Sequence, residues 1–182
     1  MQVLETYIKD LLIIQPDIFL DERGYFLESW NSQKFSKLGI NYNFVQDNHS
    51  KSKKGVLRGL HFQTQKAQSK LVRVVSGEVL DVAVDLRPFS ETYGKYFSII
   101  LSGAKNNQLL IPKGFAHGFF VRSEEAHFLY KTDEYYYPEY EKTLLWNDDE
   151  INIDWKLKDI IPSISEKDMH GKTFQQIKKE LD

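Results

Sequence analysis

Apolar and polar residues alternate with a period of two through the middle of the chain. Leu80, Val82, Val84 and Leu86 face one way and Asp81 and Asp85 the other, the pattern of a strand with one buried face. Just upstream, residues 71–75 are rich in branched side chains, and Ser76-Gly77-Glu78 between the two runs predicts a hairpin. Further short strands are predicted at 96–101, 108–111, 115–121 and 126–132, each bounded by Gly, Pro, Ser-Gly or acidic residues, with 26–30 and 43–46 upstream. Many short strands without intervening helices mean an antiparallel all-β fold, a sandwich or a barrel. Helices are few: Ser32 is the expected cap of a turn or two ending near Gly39, and 172–181 carries Phe174, Ile177 and Leu181 at helical spacing. Lys51-Ser52-Lys53-Lys54 reads as a solvated loop. With no internal repeat and no Gly/Ser-rich linker, residues 1–182 are expected to form a single domain.

Composition narrows the function classes. The chain has 182 residues, 41% of them hydrophobic, enough for a sizeable core. Lys plus Arg number 24 against 26 Asp plus Glu, so no overall basic field exists to gather nucleic acid. The absence of cysteine excludes disulfides, thiolate metal sites, iron–sulfur clusters and a cysteine nucleophile. The clearest uninterrupted apolar run, 11–14, falls far short of the roughly 20 residues that span a bilayer. The first ten residues lack a basic segment and a cleavage site, which points to a cytoplasmic location with no membrane partner. No phosphate-binding glycine loop, nucleophile elbow or zinc helix appears.

Two histidines have distinctive settings: His61 in Arg58-Gly59-Leu60-His61-Phe62-Gln63, and His117 in Gly114-Phe115-Ala116-His117-Gly118. A histidine in an apolar strand is often a hydrogen-bonded core group, and that reading stands beside a catalytic one. A metal site on a β-sandwich of the cupin type needs a His-x-His pair on one strand. Position 63 is Gln, and Phe115 and Phe119 flank His117, so neither a metal nor a cofactor is expected. Imidazole, lysine, tyrosine and carboxylate remain, the groups that remove and return a proton beside a carbonyl.

Eight stretches occur together and in order: 21–26 (Asp-Glu-Arg-Gly-Tyr-Phe), 45–50, 56–63, 70–74, 77–85, 111–120, 128–132 (Phe-Leu-Tyr-Lys-Thr) and 165–168 (Ser-Glu-Lys-Asp). This collinear set, from about residue 15 to 170, resembles the dTDP-4-dehydrorhamnose 3,5-epimerase family. The resemblance implies a jelly-roll β-barrel of the cupin type, a homodimer, and metal-independent epimerisation at C3 and C5 of dTDP-4-keto-6-deoxyglucose on the way to dTDP-L-rhamnose.

The same resemblance assigns roles. His61 is the base, Asp168 pairs with it, Lys70 stabilises the enolate and Tyr130 returns the proton to the opposite face. Arg23, Phe26 and Glu28 hold the nucleotide, with part of this N-terminal segment lent by the partner subunit. Gln46 and Asn48 bond the nucleotide or sugar, Arg58 and His117 lie near sugar and diphosphate, Tyr136 lines the sugar pocket, and Glu141 and Lys167 sit at the periphery. Read from the residues alone, Ser165-x-x-Asp168 is nearly a capping box, Lys70 is a strand-end lysine reaching for water, and Tyr130 is an aromatic on an inner wall. A single-site epimerase shares the core groups. A metal-dependent cupin oxygenase and a non-catalytic sugar-nucleotide binder are the alternatives from other classes.

Overall fold

The computed structural model describes residues 1–181; Asp182, the last residue of the expected domain, lies outside them. The fold is mostly β and its strands pair antiparallel throughout. Strands β1 (Gln2–Glu5), β2 (Leu12–Gln15), β5 (Gln46–Lys53), β7 (Lys70–Ser76), β10 (Gln108–Ile111) and β12 (Glu125–Thr132) build a six-stranded sheet in the order β1-β2-β10-β7-β12-β5. Strands β6 (Leu57–Gln63), β8 (Glu78–Asp85), β9 (Tyr96–Ser102), β11 (Phe115–Val121) and β13 (Glu141–Thr143) build a five-stranded sheet in the order β13-β6-β11-β8-β9. A two-stranded ribbon, β3 (Ile18–Asp21) with β4 (Gly24–Leu27), belongs to neither.

Residues from both sheets meet in one apolar cluster, with Val72, Val74 and Phe128 from the six-stranded sheet against Val79, Ala83, Phe119 and Val121 from the five-stranded sheet. The outer face of the five-stranded sheet, with Leu80, Val82 and Val84, is covered by Leu144, Ile151, Trp155, Phe174 and Ile177 of the C-terminal segment. The outer face of the six-stranded sheet is partly covered by Trp30, Phe35, Ile40 and Phe44 packing on Ile14, Leu71 and Leu110. Both faces of β8 are therefore buried. Asp81 and Asp85 are fully enclosed, not solvated as the alternation predicts.

Other departures have physical reasons. The run around 71–75 and the run that follows it do not form a hairpin, since β7 and β8 belong to different sheets. Gly77 (φ +81°) turns the chain from one sheet to the other, where a Cβ would lie 2.1 Å from the Glu125 carbonyl oxygen. Residues 51–53 are part of β5 and pair with β12, so Lys51 and Lys53 of the expected loop are the outward positions of an edge strand and only Lys54 lies in a turn. The strand expected at 26–30 is instead β4, ending at Leu27, and that at 43–46 begins only at Gln46.

The helices fall near their expected places. Helix α1 (Ser32–Lys37) is capped by Asn31, whose side chain accepts from the Gln33 and Lys34 N–H groups, rather than by Ser32. Helix α3 (Phe174–Leu181) buries Phe174 and Ile177. No helix among the described residues is long and apolar enough to cross a membrane.

Candidate active site

His61 and His117 are direct register partners on the adjacent strands β6 and β11. Each is bonded to an aspartate. His61 Nε2 lies 2.6 Å from Asp168 Oδ1, and His117 Nε2 lies 2.9 Å from Asp81 Oδ2. Asp81 comes from β8, the strand on the other side of β11. Asp168 arrives from a helical turn, α2 (Glu166–Met169), whose Ser165 cap accepts from the Asp168 N–H at 3.2 Å. The cap predicted from Ser165-x-x-Asp168 and the partnership with His61 thus hold together: the cap fixes the backbone and leaves the carboxylate to reach the imidazole.

The second oxygen of Asp168 accepts from the Gly59 N–H at 3.1 Å. Gly59 has φ +107°, and a Cβ there would stand 2.6 Å from both the Gly118 Cα and the His117 carbonyl oxygen. Burial pushes the Asp168 carboxyl up, but hydrogen bonds from His61 and Gly59 and the imidazole's charge hold it below the usual carboxylate range. An ionised Asp168 accepts from Nε2–H, which leaves the lone pair of His61 on Nδ1.

The six-stranded sheet supplies the facing groups. Lys70, at the start of β7, is 7% exposed and does not reach for water; its Nζ donates to the His61 carbonyl oxygen at 3.3 Å. Desolvation lowers its pKa to about 8, against the opposing pull of Glu141 and Asp81. Tyr130 shares a face of β12 with Phe128 and packs against the inter-sheet core. Burial and then the charge of Glu141 push its phenol up, and Arg58 pulls it back. Arg58 is held by Ser52, to which its Nε donates at 3.0 Å. His117 is kept neutral chiefly by desolvation, helped by the charges of Lys70 and His61 and opposed by Asp81.

Around this centre the loop after β12 is pinned by Gln63. Its Nε2 donates to the carbonyls of Lys66 (2.7 Å) and Tyr135 (3.2 Å), and its Oε1 accepts from the Tyr137 N–H at 2.8 Å. The position where a cupin metal site needs a second histidine is thus occupied by a loop anchor. Gln46 Oε1 accepts from the Tyr136 N–H at 3.1 Å, and its amide donates to Asn48 Oδ1 at 3.1 Å. The Tyr136 hydroxyl donates to Glu141 Oε2 at 2.8 Å, and Lys167 Nζ donates to the same oxygen. Asn48 Nδ2 and Asp81 Oδ1 are buried without a protein partner, an open donor and an open acceptor.

The expected residues therefore fall into two groups. His61, Lys70, Asp168, His117, Tyr130, Tyr136, Glu141 and Lys167 are joined by hydrogen bonds or by direct charge interactions, as are Gln46 and Asn48 through Tyr136 and Arg58 through Tyr130. Arg23, Phe26 and Glu28 make their contacts elsewhere. Arg23 bonds Asp21, Glu28 is taken by Lys34 and Asn31, and Phe26 is 69% exposed on the separate ribbon. Asp81, Ser52 and Gln63 were not singled out as site residues from the sequence. The signal for Asp81 was its place between the apolar residues Leu80 and Val82 in the middle of a strand.

An imidazole paired to a carboxylate, a buried ammonium and a buried phenol, gathered on two antiparallel sheets, are the equipment of an acid–base isomerase. Residues 5–176 match the family model described as dTDP-4-dehydrorhamnose 3,5-epimerase, and the chain belongs to that family. It is 54% identical over 178 residues to the dTDP-4-dehydrorhamnose 3,5-epimerase of Salmonella typhimurium, covering 97% of each chain. An epimerase structure from Legionella pneumophila in complex with dTDP-4-keto-L-rhamnose is 49% identical, with TM-score 0.95 over 99% of this chain and 96% of the other. A 3'-monoepimerase from Streptomyces bikiniensis in complex with dTDP-quinovose is 27% identical, with TM-score 0.91 over 97% and 90%.

Proposed function

We propose that this chain epimerises C3 and C5 of dTDP-4-keto-6-deoxy-D-glucose to give dTDP-4-keto-L-rhamnose, within dTDP-L-rhamnose biosynthesis. The observation that carries the reading is the His61–Asp168 pair at 2.6 Å with Lys70 and Tyr130 facing it, in a chain of this family. A C–H beside the C4 ketone is acidic because its anion spreads onto oxygen. His61 Nδ1 takes that proton while Asp168 steadies the imidazolium. The Lys70 ammonium, desolvated but still protonated at neutral pH, stabilises the enolate oxygen. Tyr130 delivers a proton to the other face, with Arg58 offsetting the charge of the phenolate.

Gln46, Asn48, Arg58, His117 and Tyr136 contact the nucleotide sugar, with the open Asn48 donor available to a ligand oxygen. The exposed ribbon supports a homodimer: Phe19, Leu20, Tyr25 and Phe26 are each more than half exposed. Laid across a second copy, it brings Arg23, Phe26 and Glu28 to the partner's nucleotide. We further infer a single jelly-roll barrel domain of the cupin type acting in the cytoplasm, without metal or cofactor. A single-site epimerase is the second reading, favoured by the likeness to the Streptomyces bikiniensis monoepimerase.

The test is incubation with dTDP-4-keto-6-deoxyglucose in deuterated water, followed by NMR of the sugar protons. Deuterium at C3 and C5 is expected. Label at one carbon makes the chain a single-site relative, and no label overturns the epimerase reading.

A further inference from the structure

Inverting two carbons in succession sets a problem of proton balance, on the double-epimerase reading above. Each inversion breaks a C–H bond to His61 and forms a C–H bond from Tyr130, leaving an imidazolium and a phenolate. Before the same pair acts at the second carbon, His61 must lose a proton and Tyr130 must gain one.

Glu141 and Tyr136 connect the two. In the β13–β6 register Thr143 stands opposite His61 and Glu141 opposite Gln63, so Glu141 shares the face of His61 as its diagonal neighbour. Its carboxylate is 14% exposed and bonded to the Tyr136 hydroxyl and Lys167. The charge of Glu141 interacts with His61, Lys70 and Tyr130 alike. Tyr136 interacts electrostatically with Tyr130 as well as bonding Glu141. The Tyr136–Glu141 link is a hydrogen bond, the strand register places Glu141 beside His61, and Tyr136 and Tyr130 are coupled through charge.

We propose that Glu141 and Tyr136 form a proton-return path that recharges Tyr130 from His61 between the two inversions, while the half-inverted sugar stays bound. The His61 Nδ1–H bond breaks as a Glu141 O–H bond forms. That proton then moves to the Tyr136 oxygen as the phenolic proton of Tyr136 passes to the Tyr130 phenolate. The cycle ends with a neutral imidazole, a carboxylate and two neutral phenols, and it consumes no other reactant. Burial pushes the Glu141 carboxyl up, but hydrogen bonds from Lys167 and Tyr136 and the charge of His61 hold it below its ordinary range, which favours passing a proton on over retaining it.

The experiment follows wild type, Glu141→Gln and Tyr136→Phe through single turnovers in deuterated water by rapid quench, reading deuterium and configuration at each carbon. Whatever a variant does to the first inversion, the ratio of the second rate to the first is expected to fall about tenfold or more, with singly inverted sugar accumulating. Added formate or imidazole, small groups that carry protons, is expected to restore the ratio. A ratio equal to wild type in both variants, with both steps slowed together, makes these residues substrate contacts and overturns the path; so does a lowered ratio that neither buffer restores. Label at a single carbon in wild type removes the double-epimerase reading itself, and the path with it.

Discussion

His61 and His117 stand side by side, each bonded to an aspartate, yet they live in different surroundings. The His61 side chain is 31% exposed and its aspartate comes from a helical turn more than a hundred residues away. The His117 side chain is 7% exposed and its aspartate, fully buried, comes from the neighbouring strand. Burial decides what each pair can do. An imidazole that is to gain and lose protons needs access to the reacting group and a carboxylate to compensate its charge; His61 is the partly exposed imidazole of the two and has Asp168 beside it. The second pair sits where desolvation suppresses the charge on the imidazole.

Breaking the first pair has the largest expected effect. Asp168→Asn removes the charge that supports the imidazolium and is expected to lower kcat by about 10²- to 10⁴-fold with the fold intact, measured by steady-state turnover and circular dichroism. Next is Gly59→Ala, at the junction of the two pairs. Its Cβ meets the backbone of His117 and Gly118 at 2.6 Å, so overpacking of about 1–3 kcal/mol is expected in denaturant unfolding, with loss of activity as the Asp168 contact shifts. Breaking the second pair with Asp81→Ala strips a buried imidazole of its partner. About 1–3 kcal/mol of stability should be lost, and the fall in turnover should be far smaller than for Asp168→Asn.

The smallest effect is a pH dependence at Lys70, which faces both pairs. Its pKa of about 8 lies below the ordinary 10.5, so activity should decline as pH rises through about 8 and the enolate loses its cation. Stability moves the other way. Between about 8 and 10.5 the unfolded chain binds the extra proton, so unfolding free energy rises with pH across that window and is flat with respect to this group below it. Lys70→Met should abolish both slopes, checked by pH–rate profiles and denaturant titrations.

The comparison also explains how much was legible in the sequence. Period-two alternation located β8, and short apolar runs bounded by turn residues located β10 and β11, which together gave the all-β class. It misjudged β8, where Asp81 looked like a solvent position and is an interior one; alternation reports two faces and not which of them meets water. The same blindness turned the crossing at Gly77 into a hairpin, since a turn does not say which sheet the next strand joins. His61, Lys70, Tyr130 and Asp168 are 107 positions apart at the extremes, and no local pattern unites them. Their agreement in order with a known family placed them together, and the structure shows the His61–Asp168 and Lys70–His61 contacts among them. Within one chain Arg23, Phe26 and Glu28 make their contacts away from the histidine pairs, which their place in a family motif does not reveal.

The division of labour between the two histidines is tested most directly by solvent-deuterium incorporation into dTDP-4-keto-6-deoxyglucose with His61→Asn and His117→Asn side by side. The predicted result is no deuterium at either C3 or C5 with His61→Asn, and slower but measurable incorporation at both with His117→Asn. Incorporation that survives loss of His61 and vanishes on loss of His117 would contradict it and make the buried pair the base.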